Sequence, residues 1–117
     1  MSTSSITHLV TDAANEIKAF RLVVLDVRQM SDVCDYQIIC SGENNKQTVA
    51  IANSVEHKLK TSLGIRPLAI EGKEQGRWIL IDYGSVMVHI FFEPLRDHYG
   101  LEDLWAKPSF SMENTGI

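Results

Sequence analysis

Two apolar runs with a short polar break between them dominate the pattern of this chain. Trp78-Ile79-Leu80-Ile81 leads into Asp82-Tyr83-Gly84-Ser85, and Val86-Met87-Val88-His89-Ile90-Phe91-Phe92 follows. Aromatic and β-branched residues suit a pleated, packed surface, and a Gly between two such runs supplies a turn conformation that bulkier residues resist. The pattern predicts a β-hairpin. Side chains alternate across a strand, so Trp78, Leu80 and Asp82 share one face and Ile79, Ile81 and Tyr83 the other. On the second strand Val86, Val88, Ile90 and Phe92 oppose Met87, His89 and Phe91. Both faces are largely apolar, whereas a half-solvated hairpin shows apolar residues on one face only. Either helices cover both sides, or one side is kept for a partner.

The rest of the chain decides how much cover is available. Ile6, Leu9, Val10, Ala13, Ile17 and Phe20 recur at helical spacing after a polar lead-in at 2–5, with Ser4 or Ser5 as N-cap. Leu22 to Val27 reads as a strand buried on both faces, and Tyr36 to Cys40 as a second strand. Between them, 30–35 has the composition of a loop. A turn at 41–45 leads to a second helix carrying Thr48, Ile51, Ala52, Val55, Leu59 and Leu63 on one side. Glu43 near its start complements the helix dipole, and Gly64 is its C-terminal cap. A short strand at 67–71 is placed at an edge or strand start by Pro67. After the hairpin, Pro94 opens a short helix over 95–99, Gly100 interrupts it, and 101–105 forms a further turn. The tail from Pro108 is polar. This predicts one α/β domain over 1–107 with a tail at 108–117. It is built on a single mixed five-stranded sheet with helices mainly on one face. Two long helices cover one face well and the other poorly, so the second hairpin face is available for an interaction.

Composition narrows the chemistry. The chain has 117 residues, 44% hydrophobic and 22% charged, with a formal net charge of -4. One core-forming domain fits that length. An acidic balance argues against a broad, non-specific grip on nucleic acid, which needs clustered Lys and Arg. Cys34 and Cys40 are too few for a disulfide scaffold, match no zinc spacing and fit a reducing cytosol. No long apolar run opens the chain, which argues against a signal peptide or membrane span and places the protein in the cytoplasm.

Three constellations invite a catalytic reading. Ser41-Gly42 sits between a strand and a helix, where backbone amides bind phosphate, but no Gly-Lys-Ser/Thr follows. Asp26, Asp32, Asp35 and Asp82 show no Asp-x-Asp spacing, and nothing else completes a coordination sphere, so no metal site is expected. His89 and His98 have no nucleophile motif to serve. A structural turn, scattered carboxylates and packed or surface histidines account for all three. Trp78, Tyr83, Tyr99 and Trp105 each fit a core; as a set, mixed with Glu93, Asp97, Glu102 and Asp103 against one Arg96, they have the composition of interface anchors facing a basic surface.

The hairpin Trp78-Ile79-Leu80-Ile81-Asp82-Tyr83-Gly84 with Val86-Met87-Val88-His89-Ile90-Phe91 resembles the Iojap-like ribosomal silencing factor family. The resemblance continues through Pro94-Leu95-Arg96-Asp97-His98-Tyr99 and Leu101-Glu102-Asp103-Leu104-Trp105. Upstream it includes Val24-Leu25-Asp26-Val27, Ser31-Asp32, Asp35-Tyr36, Ile39-Cys40-Ser41-Gly42 and Glu71-Gly72. It implies a nucleotidyltransferase-like fold without the catalytic carboxylates, and no enzymatic reaction or cofactor. It further implies a translational repressor that binds the large ribosomal subunit through its fourteenth large-subunit protein. The bound factor blocks joining with the small subunit when nutrients are scarce, and a homodimer is possible. Glu93 departs from the His frequent in the family before Pro94. The expected contact set is Trp78, Asp82, Tyr83, His89, Arg96, Tyr99, Glu102 and Trp105, with no catalytic residue. The rival readings are a degenerate nucleotidyltransferase retaining nucleotide binding near Ser41-Gly42, and a scaffold whose second face serves only its own dimer.

Overall fold

The computed structural model describes residues 3–100. In chain order the elements are α1 (Thr3–Glu16), β1 (Phe20–Asp26), β2 (Tyr36–Gly42), α2 (Asn45–Leu63), β3 (Ala69–Glu71), β4 (Trp78–Asp82), β5 (Val86–Phe92) and α3 (Glu93–Tyr99). The five strands form one sheet in the order β1-β2-β5-β4-β3. Only β2 and β5 run parallel; the other neighbours are antiparallel.

The hairpin forms as its pattern predicts. The Tyr83 amide donates to the Val86 carbonyl at 2.9 Å, and Asp82 Oδ1 accepts from the Gly84 amide at 2.8 Å. Gly84 takes φ 87°, the left-handed conformation that the turn demands. That turn sets the register, with Trp78 opposite Phe91 and Leu80 opposite His89. On α2 the Asn44 side chain caps the Gln47 amide, and Gly64 ends the helix at φ 69° with its amide on the last turn.

Helices α1 and α2 lie together on one face. Their apolar stripes, Ile6, Val10, Ala13 and Ala14 from α1 and Ile51, Ala52, Val55 and Leu59 from α2, meet Ile38, Cys40, Ile79, Ile81, Val86, Val88 and Ile90 from the sheet. Ser54 Oγ donates to the Ala13 carbonyl at 2.9 Å, and Lys58 pairs with Glu16, which ties the two helices to each other. Each fully buried aliphatic side chain here contributes about 1.5–3 kcal/mol relative to exposure. Cys40 belongs to this core, and burial pushes its thiol up to about 12. It behaves as a small apolar residue rather than a nucleophile.

Four local expectations are corrected. The first helix begins at Thr3, so Ser4 and Ser5 lie in its first turn rather than at its cap. It ends at Glu16, where the chain turns through Lys18 at φ 62°, and Phe20 opens β1 instead of closing the helix. β1 is an edge strand with half-buried and exposed positions, so its Leu-Val-Val-Leu run does not mark burial on both faces. Glu43 precedes the Asn44 cap, and the first turn of α2 holds no acidic residue. The turn expected at 101–105 and the tail from 108 lie outside the described residues.

The 72–76 turn between β3 and β4 is packed against the hairpin and α2. Gly72 has φ 82°, and a Cβ there would sit 2.0 Å from the Trp78 carbonyl oxygen. Gly64 has a similar φ of 69° but open space around it. Gly72→Ala is therefore expected to cost roughly 3 kcal/mol or more of unfolding free energy, and Gly64→Ala only about 1 kcal/mol, in urea denaturation. Equal losses would mean that backbone conformation alone, without the collision, sets the cost.

Candidate docking face

The face of the sheet opposite α1 and α2 is built from alternate residues of the central strands. Gln37, Ile39 and Ser41 come from β2, Met87, His89 and Phe91 from β5, and Trp78, Leu80 and Asp82 from β4. Of the described helices, only α3 packs on this face. It continues directly from β5, with Pro94 in its first turn and Gly100 closing it at φ 61°.

An aromatic cluster joins α3 to the sheet. The Trp78 ring lies 5.0 Å from Phe91, nearly parallel to it, and 4.6 Å from Tyr99 at 46°. Phe91 is fully buried beneath, Trp78 is half-buried, and Tyr99 is 50% exposed. The register explains the geometry: Trp78 faces Phe91 directly across the β4–β5 ladder, and Tyr99 returns over them one short helix later. Such ring pairs contribute about 0.5–1.5 kcal/mol beyond their burial.

Polar side chains run beside the cluster. The indole Nε1–H of Trp78 donates to His89 Nδ1 at 3.1 Å, and His89 Nε2 lies 2.5 Å from Gln37 Oε1. Gln37 Nε2 points to Cys34 Sγ at 3.3 Å and Met87 Sδ at 3.8 Å. An indole N–H can only donate, so Nδ1 must be bare and the imidazole proton sits on Nε2. His89 is neutral in this arrangement. Burial lowers its pKa to about 4.

A second polar group fixes α3. Arg96 is 2% exposed, and its Nη1 donates to Ser41 Oγ at 2.9 Å. Arg21, held at φ 51° in the β1 bulge between Phe20 and Val23, reaches Glu93 Oε2 at 2.6 Å and Asp97 Oδ1 at 3.1 Å. Burial acts to raise the Glu93 carboxyl, but the nearby Ser41 hydroxyl and the bonded Arg21 guanidinium outweigh it and hold it below its usual range. The acidity of α3 is thus partly spent inside the protein, on Arg21.

The expected contact residues separate accordingly. Trp78 and Tyr99 come together on the second face with surface to offer. Asp82 is half-buried at the end of β4 and stabilises the hairpin turn. Tyr83 points the other way, into the helix-side core, where burial raises its phenol. His89 and Arg96 are turned inward at 5% and 2% exposure. Glu102 and Trp105 lie outside the described residues. Sequence reasoning missed Gln37 and Phe91, which hold the cluster from below. Phe91 was legible from the hairpin register; Gln37 was not, because its partner is 52 residues away.

Several of the residues considered for catalysis have other partners. Ser41 accepts from Arg96. At the start of α2 the Glu43 amide donates to Gln47 Oε1 at 2.5 Å and the Gln47 amide to Asn44 Oδ1 at 2.8 Å. Asp26 is paired with Arg28, and Asp35 accepts from Thr3 at 3.4 Å. Among the described residues no group of three or more His, Cys, Asp or Glu is placed to hold a metal ion, and no helix is long and apolar enough to cross a membrane.

The fold and this face define an α/β domain whose polar side chains, where described, brace its own structure around one aromatic cluster. Residues 1–115 match the family RsfS, ribosomal silencing factor during starvation. The chain belongs to the ribosomal silencing factor family. It is 37% identical over 114 residues to the ribosomal silencing factor of Chromobacterium violaceum, covering 96% of this chain and 93% of that one. It is 38% identical over 114 residues to that of Halalkalibacterium halodurans, covering 97% of each. A crystal structure of a Chromobacterium violaceum protein superposes with a TM-score of 0.87 at 37% identity, over 95% of this chain and 93% of that one. The family is named for silencing, not for a reaction.

The neutral His89 has a consequence for stability. Its ordinary pKa is 6.5 and its folded value about 4. Between those values the unfolded chain binds the extra proton, so stability is full above pH 6.5 and falls as pH drops toward 4. Asp26 and Glu93, with ordinary values of 3.8 and 4.5 lowered by folding, add to acid sensitivity only as pH falls through 4.5 and below. Unfolding free energy is expected to fall by roughly 2–3 kcal/mol from pH 6.5 to 4.5, at about 1.4 kcal/mol per unit. His89→Gln should flatten most of this slope in urea titrations at each pH.

Proposed function

We propose that this protein is a steric translational repressor. It binds the large ribosomal subunit through the fourteenth large-subunit protein and blocks joining of the small subunit when nutrients are limiting. Family membership supports a ribosome-related role. The observation that carries the reading on this chain is the Trp78–Phe91–Tyr99 cluster, a half-exposed aromatic platform on the one sheet face that α1 and α2 leave uncovered. Aromatic anchors set on a rigid base are the residues on which protein interfaces most depend.

The mechanism is occupancy. A modest interface at a place where two large particles must touch is enough to keep them apart, and no bond is made or broken. Trp78 and Tyr99 meet the partner, together with Glu102 and Trp105. Asp82, Tyr83, His89 and Arg96 act from behind by fixing the hairpin, its turn and α3. The protein works in the cytoplasm, where its target resides, and a homodimer that used the same face would compete with binding.

Trp78→Ala and Tyr99→Ala, confirmed as folded by circular dichroism, are expected to weaken capture of large subunits by about tenfold or more each, as interface anchors do. Wild-type protein should lower subunit association measured by light scattering, and both variants should lose that effect. Undiminished binding by both would remove the platform from the site. Unchanged subunit association with wild-type protein would remove the function.

A further inference from the structure

We infer that Gln37 and His89 are positioning residues for Trp78: together they form a directed hydrogen-bond relay that holds the indole as a docking anchor and releases it when His89 takes up a proton. The inference rests on the proposed docking role of this face, and adds to it a control element that lies wholly beneath the surface.

The direction of the relay follows from its chemistry. The Trp78 Nε1–H cannot accept, so it must find a lone pair on His89 Nδ1, 3.1 Å away. That puts the imidazole proton on Nε2, which donates to Gln37 Oε1 at 2.5 Å. The Gln37 amide is thereby oriented with its Nε2–H2 toward Cys34 and Met87, two weak acceptors in sulfur. Each member has one arrangement that satisfies its neighbours, and the indole sets the first of them. Protonation of His89 places a hydrogen on Nδ1, opposite the indole N–H. Two donors then face each other in a buried site, and the indole must leave its position. Trp78 is the one member of the relay that also stacks on Tyr99 at the surface, so this is where the change emerges.

The surroundings leave His89 to this role. From β2 it is faced by Gln37 and Ile39, from β5 by Met87 and Phe91, and from β4 by Trp78 and Leu80. The titratable and charged groups elsewhere on the face are engaged or distant. Arg96 from α3 bonds Ser41, Asp82 bonds the hairpin turn at the far end of β4, and Cys34 sits behind Gln37. No carboxylate among the described residues supports a charged imidazole, which agrees with a pKa lowered by burial alone. A carboxylate in place of the Gln37 amide would change that, since it would accept from Nε2–H and favour the imidazolium.

The test follows the two indole N–H resonances by nitrogen–proton correlation NMR across pH in the full chain, with Trp105→Phe used to tell them apart. The wild-type Trp78 resonance is expected to shift with a midpoint near 4 and to stay constant between pH 6 and 8. Gln37→Glu should raise that midpoint by about one pH unit or more, and large-subunit capture by this variant should weaken with falling pH along the same curve. Gln37→Leu, an independent variant, should shift the Trp78 resonance at neutral pH by leaving the imidazole Nε2–H without its acceptor. A Trp78 resonance blind to His89 protonation in the wild type overturns the relay. So does a Gln37→Glu midpoint equal to that of the wild type. An indole that titrates as expected while capture of subunits ignores it overturns the docking role of Trp78 and leaves the relay standing.

Discussion

Everything distinctive about this domain follows from the parallel pairing of β2 with β5. Their seven-residue register, from Tyr36 opposite Val86 to Gly42 opposite Phe92, forms the middle of the sheet. Parallel neighbours cannot be joined by a tight turn, so the chain must cross over one face between them. α2 makes that crossing, and α1 packs beside it, bonded to it through Ser54 and Lys58. Both long helices are thereby committed to a single side. β5, central in the sheet, has residues on both faces to bury, and among the described elements the second face receives a seven-residue helix that leaves directly from its own end.

The way that face is closed explains its unusual mix of residues. Under a helix as short as α3, large flat side chains cover the most area per residue, so Trp78, Phe91 and Tyr99 stack where α3 begins and ends. Beside them, the buried positions are filled by groups that satisfy one another, Gln37 with His89 and Ser41 with Arg96. A buried polar group left without its partner costs about 1–3 kcal/mol, and more if charged. These pairs therefore fix one arrangement of the face by penalising the others. The exposed Arg21 links to Glu93 and Asp97 add little by comparison, at most about 1 kcal/mol each; their part is to orient α3 over the bulge.

Much of this was readable from local pattern, and the failures have a common cause. The hairpin, its two apolar faces, the capped second helix and the Pro-opened short helix all rest on residues close together in sequence. The register that puts Trp78 against Phe91 is itself a consequence of the four-residue turn. What could not be read was neighbourhood in the sheet. The Leu-Val-Val-Leu run of β1 has the composition of a central strand and occupies an edge, because strand order is decided by the crossover and not by β1. Likewise His89 and Arg96 look like surface residues until Gln37 and Ser41, 52 and 55 residues away, are brought beside them by the β2–β5 register. Family resemblance supplied the expected partner, but not the division between side chains that face outward and those that brace from within.

That division bears on how a small protein could bind a large particle well enough to block it. Association loses affinity to every side chain that must be ordered on contact, about 0.5–1.5 kcal/mol for a flexible one. Trp78 is already held on three sides, by Phe91 beneath it, Tyr99 beside it and His89 through its indole N–H, while part of its surface stays open. An anchor so fixed in the free protein has little freedom left to lose. The same constraint makes it vulnerable from behind, since a change at Gln37 or His89 acts on the exposed ring without touching the surface. The apolar face that first set the hairpin apart is therefore only half a surface. Its outward half is aromatic and available, and its inward half is a polar frame that decides how the outward half is presented.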